Sequence, residues 1–191
     1  RSCEMVAEIL QYIGDGIKIK PAEADAMYAG IVIDTNNFMN QAGVRTFEAA
    51  AFLRRNGADV VRVRKLFRDK LEDYKARAEA IQKAEIFKEY FAISECPAEG
   101  IESPTVVGAQ AANEMLDIVG IKASFVLTHL DDTIYFSARS IDEINVQIMM
   151  EKMGGGGHRT IAGAQLKGAT IEEAKVKLKE IITDMLEKGD I

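Results

Sequence analysis

Over the first ~80 residues apolar side chains recur at three- and four-residue intervals, the spacing of amphipathic helices. A helix is predicted over residues 3–12, with Ser2 as its N-cap. Another starts at Pro21, whose fixed φ suits a first helical turn, and runs through EADAMYAGIVI. It stops near Asp34, where DTNN is turn chemistry. Thr46 is placed to cap FEAAAFLRR, which ends at Asn56-Gly57. Asp59 then caps one long helix. Its stripe is Val60, Val63, Phe67, Leu71, Tyr74, Ala78 and Ile81. That stripe reads as core or as an interdomain strut, with a coiled-coil dimer as the alternative.

After about residue 84 the pattern changes to strands alternating with helices. EIFKEYFAISE, residues 85–95, predicts a strand rich in aromatic residues. Pro97, Gly100 and Pro104 mark a loop, and residues 105–119 predict a helix with Val107, Ala111, Met115 and Ile118 on one face. ASFVLTH and TIYFSAR predict two strands joined through Leu130-Asp131-Asp132 as a hairpin. Ser140 and Glu143 have capping-box spacing and predict a helix through Met153, ended by Gly154. AGAQL predicts a short strand. Thr170 and Glu173 form a second capping box, opening a final helix with Ile171, Ala174, Leu178, Ile181 and Met185 turned inward. The order β-α-β-β-α-β-α specifies an α/β fold with a mixed β-sheet flanked by helices, preceded by a helical segment.

Composition narrows the class. The 191 residues suit one or two domains, and 48% hydrophobic with 28% charged residues is ordinary for a soluble globular chain. No run approaches the ~20 apolar residues of a membrane span. RSCEMVAEIL does not read as a signal peptide, because Glu4 and Glu8 interrupt it. Cys3 and Cys96 stand far apart and read as reduced thiols of a cytosolic protein. The net charge of −6 argues against wrapping of long nucleic acid. Arg45, Arg54, Arg55, Arg62, Arg64, Lys65, Arg68 and Lys70 nevertheless concentrate positive charge locally. They read as a solvated helix face or as a field for an anionic ligand.

The stretch EKMGGGGHRT carries four consecutive glycines and then His158. Glycine loses more conformational freedom on folding than any other residue, so such a run needs a reason. One reading is a linker, or a helix C-cap followed by a loop. The other is an anion site, where a phosphate or base approaches bare backbone N–H groups and His158 adds a donor. The run is not a P-loop, since no Lys-Ser/Thr follows it. Ser137 and Arg139 alternate to one side of TIYFSARS and could meet the same ligand, with Arg139 as a fork for phosphate. Asp34 either ends its helix through an Asx-turn or offers a carboxylate to a hard or borderline metal ion. No HxxxH, HExxH or DxD pattern accompanies it.

AGIVIDTNNF, RTFEAAAFLRRNGAD and FSARSIDEINVQIMMEKMGGGGHRTIAGAQL together resemble the DHH–DHHA1 phosphoesterases, in the same order and over almost the whole chain. GGGGH is common to many DHHA1 proteins, while RTFEAAAFLR and ARSIDEINVQ point to the branch that hydrolyses cyclic-di-AMP. The resemblance implies that residues 1–83 are the C-terminal part of a DHH domain with a linker helix and that residues 84–191 are a DHHA1 domain. It implies two metal ions, usually Mn2+, in the DHH lobe and a nucleotide on the DHHA1 lobe, with linear pApA as product. Asp34 matches a metal ligand of the family. Arg139, Gly155, Gly156, Gly157 and His158 match its substrate-binding motifs, and Ser137, Asn145 and Arg45 are further carry-overs. No catalytic residue beyond the metal ligand is carried over.

The HxxxDxD and DHH motifs do not occur in this chain. The resemblance therefore implies a C-terminal portion of a longer enzyme, inactive alone and with an incomplete metal site. It also implies a cytoplasmic portion of a membrane-anchored bacterial parent. The expected partner is a cyclic or linear dinucleotide, with neither long nucleic acid nor membrane contacted by this portion, and a homodimer left open. A nanoRNase or pAp-phosphatase type of enzyme and a non-catalytic nucleotide-sensing module are the alternatives.

Overall fold

The computed structural model describes residues 2–13, 17–39, 41–141 and 143–190. The chain divides into two units, Arg1–Arg68 and Asp69–Ile191.

The first unit is helical: α1 (Ser2–Tyr12), α2 (Pro21–Asp34), α3 (Val44–Arg55) and α4 (Val60–Leu66). Its core is built largely from alanines, with Ala7, Ala24, Ala49 and Ala58 around Ile31 and Leu53, so the helices can approach closely. Asp59 caps α4 as its spacing predicts, accepting from the Val61 and Arg62 N–H groups. Thr46 does not cap α3. Gly43 takes that position, and Thr46 lies in the first turn. There its buried hydroxyl accepts from the Gly43 N–H at 3.2 Å and donates to Glu4 at 2.9 Å. The threonine thus fills the reciprocal half of a capping arrangement. Asp25, buried on α2, accepts from the Asp59 N–H and from Arg62 Nε, each at 2.7 Å. The Arg62 bond, seconded by the Asp59 N–H, holds the Asp25 carboxyl below its ordinary pKa.

The second unit contains α5 (Leu71–Gln82), β1 (Glu85–Phe87), β2 (Phe91–Cys96), α6 (Pro104–Met115), β3 (Ala123–Leu130), β4 (Thr133–Ser140), α7 (Val146–Lys152), β5 (Gly156–His158), β6 (Ile161–Lys167) and α8 (Ile171–Lys188). The described strands form one mixed sheet in the order β1-β2-β3-β4-β6-β5. β2 and β3 are parallel, joined across α6, and every other neighbouring pair is antiparallel.

Period-two alternation separates the two faces of this sheet. Phe91, Ile93, Phe125, Leu127, Ile134, Phe136 and Ala138 form one face, buried with Met149 and Met150 of α7 and Leu178 and Ile182 of α8. The opposite face carries Ala92, Cys96 and Val126 under Ala76 and Ala80 of α5 and Val107 and Ala111 of α6. Gly108 lets α6 sit close to β3, since a Cβ there would lie 2.7 Å from Thr128 Oγ1.

Three expected elements are differently built. The long helix after Asp59 is two helices, broken at residues 67–70. No Pro or Gly marks the break. It follows from the docking of α5 on α6, where Arg77 reaches Asp69 at 2.7 Å, Glu114 at 3.0 Å and Gln110 at 3.1 Å. Ala76 and Ala80 face the core there, while Leu71 and Tyr74 of the expected stripe are exposed. The strand expected over residues 85–95 is the hairpin β1–β2. It turns through Lys88 and Glu89 at positive φ without a glycine. The capping box of Ser140 and Glu143 does not form: Ser140 stays in β4, its hydroxyl bonded to the Ile144 carbonyl at 2.6 Å, and Asn145 caps α7. Thr170 and Glu173 do cap α8 reciprocally. Its fully buried positions are Ala174, Leu178, Ile182 and Met185, with Ile171 and Ile181 partly buried beside them.

Candidate functional site

The glycine run leads out of α7 into a strand, with Gly156 and Gly157 as the first two residues of β5. Gly154, at φ +82°, ends α7, and the Gly155 N–H returns to the Met150 carbonyl at 2.8 Å. The chain then enters β5, which pairs antiparallel with β6 at the sheet edge. A Cβ on Gly155 would lie 2.1 Å from the Gly163 carbonyl oxygen and 2.6 Å from Ala164 Cα. At Gly157, whose φ is +147°, a Cβ would lie 2.5 Å from Ala162 Cα. These two glycines are demanded by the protein's own packing. Gly156 differs, since a Cβ there meets nothing within 4 Å.

Register places the remaining candidates. Ser137 pairs with Gly163, and Gly163 with Gly156; Arg139 pairs with Ile161, and Ile161 with His158. Direct cross-strand partners share a sheet face. Ser137, Arg139, Gly156 and His158 therefore stand on one face, in two adjacent rows. It is the face that α6 covers over β3, where Ser124, Val126 and Thr128 are buried. Further along the sheet Ser137 and Arg139 are half-buried, and Ile161 and His158 are exposed. The result is a platform of β4, β6 and β5 with α6 along one side.

Arg139 is the electrostatic feature of that platform. Its Nη1 donates to the Ala138 carbonyl at 2.9 Å, while its Nε is buried with no hydrogen-bond partner. Burial pushes the guanidinium pKa down from its ordinary value. A desolvated donor without an acceptor is costly, and an anion removes that cost. Ser137 and His158 make no side-chain hydrogen bond or ion pair with the described residues.

Asn145 lies nearby in sequence but is occupied, its Oδ1 accepting from the Gln147 N–H at 3.1 Å as the cap of α7. The Val146 N–H bonds the Arg159 carbonyl at 3.0 Å, which ties the start of α7 to the turn after β5. Sequence reasoning missed Gly163, where a Cβ would approach the Phe136 carbonyl oxygen to 2.8 Å, and Ile161, Tyr135 and Gln165 on the same face. The alternation of IAGAQLK against TIYFSARS carried that information, once the two are paired.

Arg45 and Asp34 belong to the first unit. Arg45 is exposed, and its fork is engaged by Glu8 through Nε and Nη2, each at 2.7 Å. It lines a groove of ≈ 640 Å³ that also carries Glu4 and Glu8. Two carboxylates beside one guanidinium do not favour an anion there. Asp34 is the exposed last residue of α2. The next turn is tightly specified: Thr35 Oγ1 donates to the Ile31 carbonyl at 2.7 Å and accepts from the Phe38 N–H at 2.9 Å. Asn36, Asn37 and Phe38 all have positive φ, and the Phe38 ring stacks on Phe47 at 5.3 Å. A carboxylate at a helix C-terminus faces the negative end of the helix dipole, which a cation offsets. Among the described residues no three His, Cys, Asp or Glu side chains converge as a metal site. Asp34 is an exposed carboxylate of the kind a divalent ion takes, and no set of three such donors converges among the described residues.

Cys96 is buried under α6, which pushes its thiol pKa up to about 11 and disfavours the nucleophilic thiolate. No helix among the described residues is long and apolar enough to cross a membrane.

The edge strand of glycines, the paired Ser137 and Arg139 and the α6-flanked sheet lie within the region matched by the DHHA1 domain model, residues 90–187, and the chain belongs to the DHHA1 domain family. It is 42% identical over 187 residues to the cyclic-di-AMP phosphodiesterase GdpP of Geobacillus thermodenitrificans, covering 97% of this chain and 28% of that protein. It is 41% identical over 190 residues to GdpP of Bacillus subtilis, covering 98% of this chain and 29% of that protein. The chain therefore spans under a third of the length of these relatives. In fold it is similar to the crystal structure of an exopolyphosphatase-related protein from Bacteroides fragilis. That match has a TM-score of 0.85 at 20% identity and covers 96% of this chain and 56% of the other.

Proposed function

We propose that the platform of β4, β6 and β5 binds the phosphates of an adenine dinucleotide. On this reading the chain is the substrate-binding portion of a metal-dependent cyclic-di-AMP phosphodiesterase that releases linear pApA. The observation that carries it is the buried, unpartnered Nε of Arg139 in the same row as His158 and beside the open Gly156. The names of the relatives supply the substrate class.

Each residue then has a distinct task. Arg139 presents its fork to a phosphate, and desolvation strengthens that charge-assisted bond. His158 adds a donor from the exposed edge, and Ser137 a hydroxyl from the adjacent row. Gly156 lets the ligand lie against the backbone, a role separate from the packing roles of Gly155 and Gly157. Asn145 holds α7, and so the start of β5, in place. Asp34 contributes one carboxylate to a divalent-metal centre, with Mn2+ as the expected ion. A metal pair, when bound, supplies a hydroxide and offsets the charge of in-line phosphodiester attack. The parent is read as membrane-anchored, with this portion in the cytoplasm.

Calorimetric titration of the 191-residue chain with cyclic-di-AMP, pApA and AMP tests the reading. Both dinucleotides are expected to bind, and Arg139→Lys to weaken them, because an ammonium cannot reproduce the guanidinium fork. Unchanged affinity in Arg139→Lys, Gly156→Ala and His158→Ala alike would move the site elsewhere.

A further inference from the structure

Beyond the two rows already described, the same sheet face continues into a third. Tyr135 pairs with Thr128 on one side and with Gln165 on the other. This row stands two residues along β4 from Ser137 and four from Arg139. At ~3.4 Å per residue it is ~14 Å from the Arg139 row. A phosphate seated at Arg139 cannot bring its own base that far along the sheet, whereas the second nucleoside of a dinucleotide can reach it.

The chemistry of the third row differs from that of the first two. Thr128 is buried beneath α6, with a hydroxyl that has no hydrogen-bond partner. Tyr135 is half-buried beside it, and Gln165 is exposed. Tyr135 makes no ring–ring or cation–ring contact, and neither Tyr135 nor Gln165 makes a side-chain hydrogen bond with the described residues. The pair thus offers a half-buried aromatic ring and an adjacent amide with two donors and an acceptor uncommitted. Direct cross-strand partners hold their Cβ atoms ~5 Å apart, close enough for a ring and an amide to meet one flat ligand.

We infer that Tyr135 and Gln165 form a base subsite, in which Tyr135 stacks on the purine of the second nucleoside and Gln165 reads its edge. The inference rests on the proposed dinucleotide reading of the platform and extends it to base selection. A glutamine amide matches the N6 donor and N7 acceptor of adenine and mismatches the two acceptors of guanine. This row therefore sets the preference for adenine over guanine, while the Arg139 row takes the phosphate without regard to base.

The test titrates the 191-residue chain and its variants with pApA, pGpG and AMP, with a thermal melt of each variant. Tyr135→Leu is expected to weaken pApA about tenfold or more, the scale of one lost base stack, and to leave AMP unchanged. Tyr135→Phe keeps the ring and is expected to bind pApA as the unsubstituted chain does. Gln165→Ala is expected to bring the affinities for pApA and pGpG together. A Tyr135→Leu variant that melts and binds pApA like the unsubstituted chain overturns the inference while leaving the phosphate site intact. If Tyr135→Leu fails to fold, Gln165→Ala decides, because its side chain is exposed: an unaltered preference between pApA and pGpG overturns the inference. Failure of the unsubstituted chain to bind any dinucleotide overturns the platform reading and this subsite with it.

Discussion

A single methyl group added at successive glycines should have opposite consequences, and the size of the effect follows from the geometry. In Gly155→Ala the new Cβ would sit 2.1 Å from a carbonyl oxygen and 2.6 Å from a Cα, both backbone atoms of β6. Ordinary contact begins at 3.4 Å, so β5 must move from β6 by roughly 1 Å or lose its pairing. No rotamer change relieves a clash with backbone. Overpacking of this kind costs ~1–3 kcal/mol, and the upper end is expected because neither partner can yield. For a chain of this length ~3 kcal/mol corresponds to ~6–12 °C in melting temperature. Gly156→Ala meets nothing within 4 Å, and its φ is not positive. Its melting temperature should hold or rise slightly, since alanine reduces the entropy of the unfolded chain by ~0.4–1 kcal/mol. Differential scanning calorimetry of both variants, following the transition of the sheet unit, gives the comparison. A Gly155→Ala protein melting with the unsubstituted chain, or a Gly156→Ala protein falling as far as Gly155→Ala should, would refute the division of labour among these glycines.

Other perturbations reach other parts of the molecule. On the proposed metal role, Asp34→Asn in the longer phosphodiesterase proposed above should lower turnover severely while the protein stays folded, because the amide keeps the shape and loses the charge; near-normal turnover at saturating manganese would leave only the helix-ending role. Asp25 has a depressed folded pKa, so its contribution is present above the ordinary aspartate value and disappears as pH falls through the lower folded one. Acid unfolding of the helical unit should therefore steepen below about pH 4, and Asp25→Asn should flatten that dependence in a circular-dichroism pH series. Thr128→Val removes a buried hydroxyl that has no partner and should raise stability by about 1 kcal/mol, read by denaturant midpoint; a lowered midpoint would reveal a partner for that hydroxyl.

The parts legible in the sequence were those whose signal is local. Pro21, Asp59 and the Thr170–Glu173 pair announce helix starts through their own backbone chemistry, and the strand-forming residues of ASFVLTH and TIYFSAR on either side of Asp131-Asp132 show a hairpin directly. The parts not legible are decided by partners distant in the chain. Arg77 draws α5 onto α6 through Glu114 and Gln110 and ties Asp69, in the break itself, back to α5, and so a run with helical periodicity breaks where no breaker stands. Lys88 and Glu89 adopt positive φ because β1 and β2 pair, against their own preference. The candidate site shows the same division. Ser137 and Arg139 share a side by simple alternation, but their neighbours Gly163, Ile161 and Gln165 are identified only by register. The glycine run was ambiguous because a strand without side chains has no alternation to read.

The one parallel step in the sheet also orders how this unit can fold. β3 and β4 close through two residues, a local event on the microsecond scale. β2 reaches β3 only after the intervening loop and α6 have been spanned, and the entropy of that larger closure must be met before any pairing rewards it. The central hairpin is therefore expected to precede the β1–β2 edge. In a kinetic series, substitutions at Phe125 and Phe136 should slow refolding, while Ile93→Val should chiefly speed unfolding.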